Sequence, residues 1–155
     1  MKIRIKKLSP YAVIPQYAKP GDAGMDLVAT SKEIDQFGNM VYGTGLAFEI
    51  PEGYVGLLFP RSSNSKKNLW LTNHVGVLDS GYRGEVTFKF RATFSHIETD
   101  NIGETVFYNT KGQEYNVGDR IGQIIIIPYP KIEFELAAEL SETERGEGGY
   151  GSTGK

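Results

Sequence analysis

Short apolar runs alternate with polar residues along this chain, and Gly and Pro punctuate them. Ile3 and Ile5 alternate with Lys2, Arg4 and Lys6. Leu46, Phe48 and Ile50 do the same and stop at Pro51-Glu52-Gly53. Val86, Phe88 and Phe90 share one face further on. A period of two marks a half-buried strand. Met25 to Ala29 and Tyr54 to Phe59 are two more apolar runs, the second ended by Pro60. Ile124 to Ile127 is continuous, which predicts a strand buried on both faces, closed by Pro128 and Pro130. Ile132, Phe134 and Leu136 alternate once more. Helical periodicity is not sustained anywhere; Arg61 to Asn68 is polar and predicts a loop or one short helix. Many short strands with turn residues between them predict an all-β sandwich, jelly roll or barrel.

Thr72 to Val86 is the stretch around which the rest is organised. Two apolar runs flank the turn residues Asp79-Ser80-Gly81, a pattern that predicts a β-hairpin. Asn73, Asp79 and Tyr82 sit on it at close quarters: an amide, a carboxylate and a phenol ring able to read and attack a small polar ligand. Taken alone, the same residues simply start a turn, end a strand and pack.

Composition narrows the function. At 155 residues and 39% hydrophobic content the chain predicts one domain with a real core. A net charge of -2 gives no field to hold a nucleic-acid polymer. The absence of Cys excludes disulfides and thiolate metal sites, and two His make an all-His zinc site a poor expectation. Apolar runs stay well short of the roughly 20 residues of a membrane span. Met1 to Lys6 alternates like a strand and lacks a signal-peptide core. A soluble, cytoplasmic protein is expected.

Four further polar knots stand out. Asp26 follows Gly24 at the start of a strand, where a turn role would also account for it. Pro60-Arg61-Ser62-Ser63 offers a planar fork of donors and two hydroxyls, suited to phosphate, in a turn whose backbone N–H groups can form an anion nest; a solvated loop is the alternative. Gln123 lies among isoleucines, where an unpaired amide would cost free energy, so it needs a backbone or ligand partner. Asp119 and Arg120 beside it are placed to pair with each other. Finally, Arg145 to Gly154 carries several of the chain's 19 glycines and cannot bury itself. It holds an Arg for phosphate, the Tyr150 ring able to stack on a base, and Ser152 and Thr153, the pattern of a lid that orders on a nucleotide.

In order and spacing, these five knots resemble the five motifs of the homotrimeric dUTPases (dUTP pyrophosphatases), from Ala23 to Gly154. The resemblance implies a jelly-roll-like β barrel over residues 1–140 and a flexible Gly-rich C-terminal tail, residues 141–155, that completes a neighbouring subunit's active site. It implies that Asn73 and the backbone at Val77 and Leu78 read uracil, and that Tyr82 lies against the deoxyribose and excludes a 2′-hydroxyl. Asp79 would orient and deprotonate the water that attacks the α-phosphorus, giving dUMP and pyrophosphate. Mg²⁺ would be held mainly by the triphosphate, with Asp26 reaching it through water. Arg61, Ser62, Ser63 and Gln123 would hold the phosphate chain. From the neighbouring subunit, Arg145, Gly151, Ser152 and Thr153 would close on the phosphates and Tyr150 over the base. The chain departs from the family's usual residues at Tyr150 (more often Phe), Ser63 (often Gly) and Gly122 (commonly Ala). Its Ser95 to Asn116 excursion is long for a bacterial member, which suits a phage-encoded protein in a host cytoplasm or a partner-binding, regulatory surface. Within that excursion Thr105 to Tyr108 reads as a strand and Asn109 to Gly112 as a turn.

Two other functions compete. A dCTP deaminase on a related fold needs a Glu on the strand after Asp79, where this chain has Lys89. A non-enzymatic nucleotide-binding regulator would not need Asp79. His74, His96, Lys66 and Lys67 are expected to be surface or packing residues, and Trp70 a core residue.

Overall fold

The structure is a computed structural model. It describes residues 1–92 and 113–149, and the backbone alone of residues 96–99 and 105–108. Among the described residues the strands, in chain order, are β1 (Arg4–Lys7), β2 (Met25–Val28), β3 (Ser31–Ile34), β4 (Met40–Gly43), β5 (Leu46–Glu49), β6 (Tyr54–Pro60), β7 (Leu69–Leu71), β8 (Gly76–Leu78), β9 (Thr87–Ala92), β10 (His96–Thr99), β11 (Thr105–Tyr108) and β12 (Arg120–Pro128). A single 3₁₀ turn, Ser62–Lys66, joins β6 to β7. No described helix is long and apolar enough to cross a membrane.

Two four-stranded antiparallel sheets form the body, ordered β2-β12-β6-β8 and β3-β4-β9-β7. β1 pairs with β5, and β10 with β11. The alternating residues put Leu27, Leu58, Leu78, Ile121 and Ile124 of one sheet against Tyr42, Leu69, Leu71, Phe88 and Phe90 of the other in one buried cluster. Each such side chain contributes about 1.5–3 kcal/mol of burial. Gly122 belongs to this packing: a Cβ there would lie 2.1 Å from the Phe88 ring, so the larger aromatic occupies the space an Ala would need.

Four expectations change. Asp79-Ser80-Gly81 does not close a hairpin. β8 pairs with β6, whereas β9 lies in the other sheet between β4 and β7. The segment from Leu71 to Thr87 therefore crosses from one sheet to the other and returns. A turn closes from the N–H of Tyr82 to the carbonyl of Asp79 at 3.1 Å, and Val86 then bonds to Leu46 rather than to β8. Alternation shows which face of a strand is buried, but not which strand pairs with it.

β12 is buried on both faces only in its first half. Ile121 and Ile124 are fully buried, while Ile127 is 39% exposed. After β12 the chain leaves the barrel. Among the described residues, its last backbone tie to the barrel is from Tyr129 to the Gly53 carbonyl, at 3.0 Å. Ile132, Phe134 and Leu136 form no strand here, and Phe134 and Leu136 are fully exposed. Trp70 is half-exposed, edge-on to the His74 ring. The turn expected at Asn109 to Gly112 lies outside the described residues.

Candidate functional site

Strand register builds the first half of the site. On β12, Gln123 faces Asp26 of β2 on one side and Phe59 of β6 on the other. β6 ends one residue later at Pro60, so Arg61 emerges beside β2. Its Nε donates to Asp26 Oδ1 at 2.8 Å, and its Nη1 to Ser63 Oγ at 3.3 Å. Arg120 donates to the other Asp26 oxygen at 3.1 Å. The expected Asp119–Arg120 pair is thus absent. Asp119 instead accepts the Asn116 N–H at 2.8 Å and closes the turn before β12. Gln123 finds a backbone partner, donating from Nε2 to the Pro60 carbonyl at 3.2 Å. Ser62 and Ser63 are exposed at the start of the 3₁₀ turn. Two guanidiniums, the Ser63 hydroxyl bonded to one of them, and the Gln123 amide thus gather around one carboxylate. Asp26, Gln123, Asp22 and Gln16 also line an open cavity of about 400 Å³.

The second half is the Thr72–Val86 crossing. Asn73, Gly76, Val77, Asp79, Tyr82 and Glu85 line a cavity of about 190 Å³, room for a pyrimidine-sized ring. Among the described residues, β8 sits at the edge of its sheet, with β6 as its one partner. Its outer row of backbone N–H and C=O groups is therefore free to bond a ligand edge-on. Val77 is exposed and Leu78 buried, so Leu78 contributes backbone only. Tyr82 is locked by its own loop. Its hydroxyl donates to the Glu85 carbonyl at 3.0 Å, and its ring lies on Gly84, where a Cβ would fall 2.4 Å from the phenol oxygen. The Glu85 carboxylate in turn accepts the Gly45 N–H at 2.7 Å, fastening the loop to the β4–β5 turn.

Asp79 and Arg61 do not meet within one chain. Leu78 is opposite Gly56, while Arg61 follows Pro60 at the far end of β6. Four residues of strand separate those positions, roughly 13 Å. Arg61 also turns toward β2, three strands across the sheet from β8, or roughly 14 Å.

Arg145 is exposed, its Nε donating to the Gly148 carbonyl at 2.9 Å. Tyr150, Gly151, Ser152 and Thr153 lie outside the described residues. Lys89 points away from both halves, held by Asp35 at 3.2 Å on the outer face of β9.

Sequence reasoning missed a buried polar chain behind the phosphate-type turn. Asn64, at the middle of the 3₁₀ turn, is 8% exposed and accepts the Tyr115 hydroxyl at 3.1 Å. Tyr115 is 2% exposed and exchanges two bonds with the Tyr42 hydroxyl. Burial pushes both phenols up from the usual tyrosine range, so both stay protonated and able to donate. A polar Asn spaced among serines and lysines carries no sign of burial in the sequence; only the fold supplies it.

A profile of the dUTPase family matches residues 10–98 and 93–154. The deoxyuridine 5′-triphosphate nucleotidohydrolase of Clostridium tetani is 39% identical over 155 residues, covering 99% of this chain and 97% of its own length. The chain belongs to the dUTPase family. Its all-β body is accordingly the jelly-roll-like barrel of the dUTPases. Among solved structures, the Staphylococcus bacteriophage 80alpha dUTPase with dUPNHPP superposes with a TM-score of 0.79 at 29% identity, over 99% of both chains. A mutant dUTPase from phage phi11 of S. aureus, described with a coordinated structural Mg(II) ion, gives a TM-score of 0.67 at 29% identity, over 90% of this chain and 98% of that one.

Proposed function

We propose that this protein hydrolyses dUTP to dUMP and pyrophosphate, which keeps uracil out of DNA and supplies dUMP for thymidylate synthesis. The observation that carries the reading is Asp79 lining a ring-sized cavity whose other walls are Asn73, the free edge of β8 and the locked Tyr82.

Uracil enters edge-on to β8, where the Val77 and Leu78 backbone and the Asn73 amide read its polar edge. Thymine's 5-methyl group finds no room, and cytosine's 4-amino group presents a donor where an acceptor is needed. Tyr82 lies under the deoxyribose and excludes a 2′-hydroxyl. Asp79 accepts a proton from water; the water oxygen bonds to the α-phosphorus, and the bond to the bridging oxygen breaks to release pyrophosphate. Arg61, Ser62, Ser63 and Gln123 hold the phosphate chain.

Because Asp79 and Arg61 lie toward opposite ends of β6, the working site takes Asp79 from one protomer and Arg61 and Gln123 from another. That supports a homotrimer with shared sites. Residues 129–140, carrying fully exposed Phe134 and Leu136, extend away from residues 1–128 and support packing on a neighbouring copy. The segment 141–155 then serves as the lid, with Arg145, Gly151, Ser152 and Thr153 on the phosphates and Tyr150 over the base.

Asp26 fits a magnesium ion carried in by the triphosphate. It is one carboxylate beside phosphate-holding donors, and the described residues hold no cluster of three acidic or His side chains that would cage a metal directly. Such an ion supplies charge neutralisation on the phosphates, with Asp26 touching its water shell.

The test is incubation of the protein with Mg²⁺ and each of dUTP, dCTP, dTTP and UTP, with assays for pyrophosphate and ammonia. Pyrophosphate from dUTP alone is expected. Tight dUTP binding without pyrophosphate would replace the reading with a regulatory one, and ammonia from dCTP with deamination.

A further inference from the structure

We infer that Tyr115 and Asn64 are positioning residues for the phosphate-binding turn and set the place of Arg61, Ser62 and Ser63. The inference rests on the proposed role of that turn in holding the triphosphate.

Asn64 is the one buried residue of the Ser62–Lys66 turn, which has no side-chain cap at its start. All its polar groups are engaged. Its N–H donates to the Arg61 carbonyl and its carbonyl accepts the Lys67 N–H, both at 2.9 Å. Its Nδ2 donates to the Leu69 carbonyl at 2.6 Å, and its Oδ1 accepts the Tyr115 hydroxyl. The first two bonds close the turn. The other two fix it to the barrel, one through β7 and one through Tyr115.

Tyr115 is itself immobilised. The Tyr42 hydroxyl donates to its carbonyl at 3.2 Å and accepts its N–H at 3.1 Å. Its ring stands edge-on to Tyr42 at 5.9 Å and tilts against Phe90 at 5.5 Å. The Lys67 ammonium lies 4.5 Å from the ring centroid and donates to the Glu114 carbonyl at 3.3 Å. Glu114 pairs with Lys32 of β3. A continuous set of contacts therefore runs from β4 through Tyr115 and Asn64 to the Arg61 backbone. An apolar pair would fill the same space with no polar group to satisfy. What the polar pair adds is a fixed direction for the turn.

Tyr115→Phe tests this cleanly, because it keeps the ring and both backbone bonds to Tyr42 and removes only the hydroxyl. The series is wild type, Tyr115→Phe, Asn64→Leu and the double variant. The readouts are affinity for the non-hydrolysable imidotriphosphate analogue of dUTP, inhibition by deoxyuridine, KM and kcat for dUTP, and thermal melting. Each single variant is expected to bind the triphosphate analogue about three- to tenfold more weakly and to show a matching rise in KM. Deoxyuridine, which has no phosphate, is expected to bind as to wild type. The double variant is expected to match Asn64→Leu, which already removes the Tyr115 contact along with the bond to the Leu69 carbonyl. Unchanged analogue affinity in folded Tyr115→Phe, an equal loss for deoxyuridine, or additive losses would overturn the inference. Wild-type pyrophosphate release from dUTP reports separately on the reading beneath it.

Discussion

Arg61 rests its guanidinium on the carboxylate of Asp26, Nε to Oδ1 at 2.8 Å, with Arg120 on the other carboxylate oxygen. Arg61, proposed to hold the phosphates, is thus paired with the residue proposed to face the metal's water shell. On the proposed function, binding a metal triphosphate is expected to exchange that pair for an Arg61–phosphate contact and an Asp26–metal-water contact. Asp26→Asn is expected to leave Arg61 without its anionic partner and the metal's water shell without its carboxylate. The Mg²⁺ concentration for half-maximal dUTP hydrolysis should rise by about 10- to 100-fold, as for other outer-shell partners. An unchanged Mg²⁺ titration would remove Asp26 from the metal's surroundings.

Gly84 is expected to govern sugar selection through Tyr82. A methyl group there would meet the phenol oxygen at 2.4 Å, so Gly84→Ala must push the ring off its seat and break its bond to the Glu85 carbonyl. The ratio of kcat/KM for dUTP over UTP should fall by about tenfold or more, because the ring that crowds out the 2′-hydroxyl has moved. Steady-state kinetics with both substrates measures it. A general loss of activity with the ratio intact would place discrimination elsewhere.

Asp35 gives the barrel an acid-sensitive turn. The Asn39 side-chain amide, then the Asn39 backbone N–H, followed by Lys89 and the Phe37 N–H, hold its carboxyl well below the ordinary value of 3.8. A depressed folded-state pKa contributes stability that is present above the unfolded value and lost as pH falls through the folded one. Asp35→Asn should therefore melt below wild type at neutral pH, and the gap should narrow as pH drops below about 4. A gap independent of pH would mean that the charge contributes nothing there.

Much of this architecture was legible in the chain, for identifiable reasons. Leu46, Phe48 and Ile50, or Val86, Phe88 and Phe90, announce strands because a half-buried strand must alternate. Order and spacing mark Asp26, Arg61, Asn73, Asp79, Tyr82 and Gln123 as candidates. What could not be read were pairings between distant segments. The Asp79 turn reads as a hairpin because local sequence cannot show that β8 pairs with β6 and β9 with β4. Asp119 and Arg120 look like partners in sequence, yet the Asp119 carboxylate is taken up by the turn before β12 and Arg120, the first strand residue, reaches Asp26 instead. Asn64 and Tyr115 lie 51 positions apart, and only the folded barrel joins them.

Residues 129–140 and 141–155 should separate experimentally. Phe134 and Leu136 are fully exposed in the single chain, and burying each on a neighbour would contribute about 1.5–3 kcal/mol. Replacing both with Ser should shift sedimentation toward monomer. Deleting residues 141–155 should instead leave the assembly intact and reduce dUTP turnover by about a hundredfold, as the loss of a lid does. Full turnover after that deletion would remove the tail from the site.

Asp79 of one protomer is expected to work with Arg61 of another, and subunit complementation measures this directly. Asp79→Asn should bind dUTP yet hydrolyse it slower by about 10³-fold, the scale of losing a general base. Arg61→Ala should also be nearly inactive, through weakened hold on the phosphates. Unfolded together and refolded as a mixture, they can form sites that take intact Asp79 from one chain and intact Arg61 from the other. Random assembly of equal amounts should restore about a quarter of the wild-type rate. A mixture no more active than its two parents, with mixed oligomers verified, would contradict the shared site and return Asp79 and Arg61 to one chain.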